Sequence, residues 1–289
     1  MASALVFLLI AMTSIQIGAG VAKSIFPLAG AAGVTVLRLW FATLILWILW
    51  RPWRFKVQRS DWLKLGVYGV SLGLMNLTFY FSLERISLGL AVTLEFIGPL
   101  ALALFSSRKK IDFVWAAMAA LGIYFVVPHG SASESFDLTG ALLALLAGGF
   151  WAAYIFYGQR AGKSIHSGIA TTYGMTAAAL VILPFGIGLD GPKLLNPSVL
   201  PVGVLVAVLS SAIPYSLEML AMKRLPTQTF GILMSLEPAL AAVAGLLILH
   251  ETLFFTQWLA IGLVIIASLG SVLTARDSRP LDLALPPAL

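Results

Sequence analysis

Apolar residues run along this chain in ten long blocks, and most charged residues fall in the short stretches between them. The blocks span about 3–22, 31–50, 62–82, 86–105, 112–128, 138–157, 167–189, 198–220, 228–249 and 256–274. Each approaches the roughly 20 residues that an α-helix needs to cross a bilayer, the fifth being short. The pattern predicts an all-α integral membrane protein with ten transmembrane helices. The chain opens MASALVF, without Lys or Arg, and its first apolar run is longer than the centre of a signal peptide. That run is expected to remain as the first helix.

Composition agrees with the pattern. The 289 residues are 60% hydrophobic and 10% charged, with a mean hydropathy of +0.98, where an average soluble protein is about a quarter charged. The net charge of +6 does not point to nucleic acid, because the basic residues sit in short clusters between apolar blocks. They act instead as a topology signal. With the N-terminus inside, Arg51, Arg54, Lys56, Arg59, Lys64, Arg108, Lys109, Lys110, Arg160, Lys163, Lys223, Arg224, Arg276 and Arg279 face the cytoplasm, and Lys23, Arg85 and Lys193 face out. The bias predicts that both termini are cytoplasmic, and a miscount of one block would mix the clusters across both sides. The chain has no cysteine, which excludes disulfides, thiolate nucleophiles and Cys-ligated metals.

The two halves repeat. Glu84 to Leu104 (ERISLGLAVTLEFIGPLALAL) lies on Lys223 to Val243 (KRLPTQTFGILMSLEPALAAV) at an offset of about 139, so that Arg85 meets Arg224 and Pro99 meets Pro238. AKSIF at Ala22 to Phe26 resembles GKSIH at Gly162 to His166 at nearly the same offset. The expected organisation is a first repeat over 1–128, a periplasmic loop over 129–137, a second repeat over 138–275 and a cytoplasmic tail over 276–289. Five spans per repeat is odd, so the second copy enters the membrane upside down. Inverted repeats of this kind place a transporter's substrate site at their interface, near the midplane.

Ser14 to Leu39 (SIQIGAGVAKSIFPLAGAAGVTVLRL), Leu94 to Arg108, Gly149 to Gly162 (GFWAAYIFYGQRAG) and Pro214 to Val243 resemble the EamA-type transporters of the drug/metabolite transporter superfamily. Within it they are most similar to the bacterial inner-membrane threonine and homoserine exporters. The likeness covers nearly the whole chain; the tail Asp277 to Leu289 and the loop Pro128 to Asp137 match nothing in it. The resemblance implies two inverted five-helix repeats, alternating access, export of a small amino acid driven by protons, and no cofactor or metal.

An amino acid in a membrane cavity needs a cation or helix N-terminus for its carboxylate, a carboxylate or aromatic face for its ammonium, and polar groups for a hydroxyl side chain. Arg38 is the cation well inside a span, and is either the substrate carboxylate's partner or a snorkelling residue near the outer interface. Glu95, at the centre of span four, is a candidate ammonium partner and proton carrier, or a structural partner of Arg38. Glu237, beside Pro238, is expected at matching depth, either contacting substrate or supporting a kink. Glu218 shares a helical face with Ser211 and Tyr215 near the inner end of span eight, where an ion pair or inner gate is expected. Gly69, Gly73, Asn76 and Tyr80 form one stripe on span three; the glycines suit close helix packing, while Asn76 and Tyr80 could bind a hydroxyl. Gln16, Trp151 and Tyr154 complete the candidates. Trp50, Trp53 and Trp62 are expected in an interfacial belt, and Glu84, Glu251 and the other loop acids in water.

Three enzyme signatures fail. GVSLG at Gly69 to Gly73 matches G-x-S-x-G but lies inside a predicted membrane helix, and His129, His166 and His250 all fall in loops. His250 and Glu251 begin like H-E-x-x-H, but Phe254 stands where the second His belongs. No P-loop is present for direct use of ATP. The alternatives to a threonine and homoserine carrier are an exporter of another small metabolite and, from different classes, a passive channel or an intramembrane enzyme.

Overall fold

The computed structural model describes residues 2–106, 110–126, 137–162, 165–194, 196–214, 217 and 233–274. Regular secondary structure among them is helical, without a strand. The first half contains α1 (Ala2–Ser24), the short α2 (Phe26–Ala29), α3 (Ala31–Trp50), α4 (Trp62–Leu83), α5 (Leu88–Glu95), α6 (Ile97–Ser106) and α7 (Asp112–Val126). The second contains α8 (Leu138–Gly162), α9 (Ser167–Leu194), α10 (Val199–Ala207) running into a π turn (Val208–Ala212), α11 (Glu237–Leu249) and α12 (Phe255–Thr274). Five of these helices are long and apolar enough to cross a membrane by length and composition. Exposed side chains such as Phe105, Phe113, Leu63, Leu247 and Phe255, on long and short helices alike, give the described bundle an apolar exterior suited to lipid.

Most blocks became the helices expected of them, but the fourth is broken. Instead of one helix over 86–105, α5 ends at Glu95, Phe96 forms a turn, and α6 begins at Ile97. Pro99 is the physical cause: it has no N–H to offer the carbonyl four residues earlier, that of Glu95. The ninth block carries a turn at Ser235 and Leu236 just before α11, which is where the repeat offset carries the break at Phe96. Block seven runs on to Leu194, past the expected end at 189.

The ten most extensive helix pairings all join one half to the other, including α4 with α8, α3 with α9, α7 with α12, α5 with α11 and α1 with the π turn. Exchanging each span for its repeat counterpart returns the same set of pairings, since α1 with α11 becomes α8 with α5 and α3 with α10 becomes α9 with α4. The break in block four is backed onto α8 at Gly148. A side chain at Gly98 would collide with the backbone of Gly148, and one at Gly148 with the carbonyl of Glu95, so only hydrogen fits on either.

The largest apolar cluster fills one end of the bundle, drawing Ala22, Phe26, Leu37, Leu83, Leu88, Leu94, Ala144, Val206, Ala241 and Ala260 from both halves. In lipid such packing gains mainly van der Waals contact. The same end is crowned by acids that are not simply solvated, contrary to expectation. Glu251 is paired with Lys23 at 2.6 Å and accepts the Leu88 N–H at 2.8 Å. Glu84 accepts the Ala31 N–H at 3.1 Å, and Asp190 accepts that of Gly33 at 3.1 Å while pairing with Lys193 at 2.9 Å. Asp190 lies against Gly30, whose φ of +70° admits glycine and leaves no room for a side chain. Asp137 accepts the Gly140 N–H at 2.9 Å and pairs with Arg85 at 2.9 Å. The cause is common to all four. The first N–H groups of a helix have no partner within it, and an anion there also meets the positive end of the helix dipole.

Candidate functional site

Below this capped end, the bundle holds polar groups of a different kind. At 1.5 Å per residue, Gln16, Arg38 and Glu95 stand about 10–12 Å from the capped ends of α1, α3 and α5, and each is under 9% exposed. Arg38 donates from Nη1 to the Tyr80 hydroxyl at 3.1 Å and from Nη2 to the Ser210 carbonyl at 3.1 Å, and its guanidinium carbon lies 5.5 Å from the Tyr80 ring centre. Its Nε–H has no partner. A guanidinium carries five N–H donors, so the edge formed by Nε and Nη keeps the fork that grips a carboxylate in two places.

The Ser210 carbonyl is available because of the π turn. Its wider turn takes carbonyls out of the regular ladder, and here Ser14 Oγ donates to Leu209 O at 2.7 Å while Arg38 donates to Ser210 O. Tyr80 is fully buried and rests on Phe26, ring centres 5.5 Å apart.

Glu95 ends α5, where backbone carbonyls gather and the helix dipole is negative. Its side chain is buried and accepts no hydrogen bond among the described residues; Arg38 acts on it across space without forming an ion pair. A carboxyl beside carbonyls offers acceptors alone, a chemistry that suits a cation or a proton. Trp151 of α8 meets Phe96 of the break edge-on, ring centres 5.6 Å apart.

The other expected residues are more scattered. The Asn76 amide turns back to Leu72 O of its own helix at 2.8 Å. Tyr154 stacks on Tyr68 at 4.9 Å. Glu237 is buried but opens α11 on the far side of its turn, about 18 Å from the capped end, where Glu95 lies about 10 Å in. The expectation of matching depth therefore does not hold. Tyr215 and Glu218 lie outside the described residues. Gly69 and Gly73 pack against α9 at Gly174 and Ala178, as close-packing glycines should. Two surface clefts, on α7 around Phe113 and Met118 and between loops around Lys56, Asp61 and His166, share no lining residue with the Arg38 cluster.

Ser210 was missed by sequence reasoning, and Ser211 was placed on the face of Tyr215 and Glu218 by regular helical spacing. The π turn includes Ser211, while Tyr215 and Glu218 lie outside the described residues. Two adjacent serines in the apolar run VLVAVLSSAIPY were the available signal.

Comparison with known proteins bears on this arrangement. The threonine/homoserine exporter RhtA of Escherichia coli (strain K12) is 54% identical over 94% of this chain and 92% of its own. The exporter of the same name from Salmonella typhimurium (strain SL1344) is 54% identical over 93% and 91%. The EamA-like transporter family model matches residues 138–273. This chain belongs to the EamA-like transporter family. An uncharacterized transporter of Archaeoglobus fulgidus is 23% identical over 82% of the chain and 84% of its own. A solved crystal structure shares this chain's fold at a TM-score of 0.56, with 18% identity over 93% of this chain and 96% of that one. Membership makes the molecule a transporter in a membrane.

Proposed function

We propose that this protein exports threonine and homoserine across the bacterial inner membrane by alternating access, in exchange for protons. The observation that carries the reading is a split pair of charges. Arg38 and Glu95 are both buried, each about 10 Å in from the capped end, and form no ion pair with one another. Leaving opposite charges apart in a low dielectric is costly, but the arrangement complements a zwitterion, whose carboxylate takes the free edge of Arg38 and whose ammonium takes Glu95. The relatives' names supply the two substrates.

Coupling follows if Glu95 holds either a proton or the ammonium. Substrate leaves as a proton arrives on one side, and the reverse exchange occurs on the other. Each proton moved down 100 mV supplies about 2.3 kcal/mol, enough for roughly a 40-fold gradient of substrate. The helix pairings map onto one another when the repeats are exchanged, which suits a bundle with two related arrangements, one open to each side of the membrane. The basic clusters put the termini in the cytoplasm and the capped end in the periplasm.

The test is uptake of labelled threonine and homoserine into inside-out vesicles or oriented proteoliposomes, with and without a proton gradient. Gradient-driven uptake that Glu95→Gln uncouples is expected. Uptake by the wild type that ignores the gradient would remove the antiport, and no uptake of either amino acid would remove the substrates.

A further inference from the structure

Among the described residues, eight buried side-chain N or O atoms have no hydrogen-bond partner, and four of them, Gln16 Oε1, Arg38 Nε, Ser210 Oγ and Ser211 Oγ, lie on the π turn and on α1 and α3, both of which pack against it. Ser210 and Ser211 are 1% and 0% exposed. A serine or threonine within a membrane helix ordinarily bonds to the carbonyl four residues earlier. Thr35, Thr78, Thr93, Thr172, Thr176 and Thr274 all do so, at 2.6–2.8 Å. The two serines of the π turn do not. Ser210 stands beside Arg38, to which its carbonyl is bonded, and its hydroxyl is held against Gly18 of α1, two residues from Gln16. A buried hydroxyl left without a partner is costly, by enough to shift an equilibrium roughly tenfold or more.

We infer that the Ser210 and Ser211 hydroxyls receive the side-chain hydroxyl of the substrate, and so select hydroxylated amino acids over aliphatic ones of the same size. The inference rests on the reading of Arg38 as partner of the substrate carboxylate. With the carboxylate on the Arg38 edge, the substrate's side chain has the π turn as a neighbour. A hydroxyl there both donates and accepts, which suits two serines whose protons rotate freely. Gln16 Oε1, an acceptor, can take whichever proton remains. A site made to bond a hydroxyl rejects the analogue lacking it, because its own buried polar groups stay unpaired.

The experiment uses α-aminobutyrate, which is both threonine and homoserine without the hydroxyl. Equilibrium binding of all three labelled amino acids is measured on the purified full-length protein, for wild type, Ser210→Ala, Ser211→Ala and the double variant, with Ser82→Ala as a buried serine outside the cluster. Wild type is expected to bind the hydroxylated pair about tenfold or more tightly than α-aminobutyrate. The double variant should flatten that ratio while holding α-aminobutyrate as well as wild type does, and Ser82→Ala should leave it alone. A preference that survives in the double variant overturns the inference. So does a wild type that binds all three alike, which leaves the exporter reading standing. A wild type that binds none of them overturns both. If alanine disturbs folding, Ser210→Cys with Ser211→Cys keeps the volume and weakens the hydrogen bonds. The same flattening is expected there, and an intact preference is equally fatal.

Discussion

Glu84, Asp137, Asp190 and Glu251 at the capped end, and Glu95 in the middle of the bundle, all have carboxylates to satisfy away from bulk water or beside it. The first four each accept an N–H from the start of a helix, and three of them also hold a lysine or arginine. Glu95 sits at the other kind of helix end, among carbonyls, with its one electrostatic influence at a distance. Arg38 is similar: it bonds only to neutral oxygens and keeps an edge free. Cations are not scarce in this chain; they are spent at the rim. At the rim each acid is satisfied by the protein itself, whereas Arg38 Nε and the Glu95 carboxyl have no hydrogen-bond partner among the described residues.

The largest effect that would break this contrast is at Arg38. Arg38→Gln removes the charge proposed for the substrate carboxylate, and losing one partner of a buried charge pair costs about 2–5 kcal/mol, or at least roughly 30-fold in affinity. Arg38→Lys keeps the charge without the planar fork and should fall between. Equilibrium binding of threonine measures both. If Arg38→Gln binds as wild type does and only its melting temperature drops, Arg38 is a strut between α3, α4 and the π turn, and the contrast fails at its centre.

A sharper form of the comparison makes one substitution twice. Glu251→Gln breaks the ion pair with Lys23, a pair with side chains 20% and 15% exposed, and should cost about 1–2 kcal/mol, a few degrees of melting temperature. Substrate affinity should be unchanged. Glu95→Gln breaks no hydrogen bond or ion pair and removes only a buried ionisable group, so stability should hold or rise while proton-driven uptake is lost. Thermal melts and vesicle transport on both variants decide it. The contrast is lost if Glu95→Gln is the one that melts early, or if Glu251→Gln is the one that loses its gradient.

What the sequence made legible follows from what each feature depends on. Apolar blocks announced α3 and α4 nearly to the residue, because in a bilayer length and hydropathy leave few alternatives. Arg38, Tyr80 and Glu95 were legible because a charge or phenol within such a block is expensive enough to need a reason. The bond from Arg38 to Ser210 was not, since it depends on a π turn that no residue pattern in VLVAVLSSAIPY specifies. Glu251 reads as a loop acid until the turn after α11 is seen to reach the start of α5, a contact across 163 positions. Asn76 was placed on the correct stripe, but its amide is bonded to its own helix. The break at Phe96 was half legible: Pro99 was in plain view, but a proline alone does not distinguish a kink from an interruption.

The smallest effect tests the rim where it is most exposed. The hydrogen bond from Gly140 N–H, and after it Arg85, hold the Asp137 carboxyl below its ordinary value of 3.8. The folded state therefore binds this proton less readily than the unfolded chain does. Its contribution to stability is fully present above 3.8 and fades as pH falls through the lower, folded value. Asp137→Asn should thus lower the melting temperature slightly and by a constant amount at neutral pH. In more acid solution the wild type, protonated at the same oxygen, should converge on the variant. High salt should shrink the part due to Arg85 and spare the part due to the helix N-terminus, since the ion pair is open to solvent and the short backbone bond is not set by long-range charge. Melts of the two proteins over pH and salt would show this. A gap that widens toward acid would mean that Asp137 is not acting as a charged cap, and that the rim at α8 is held by packing alone.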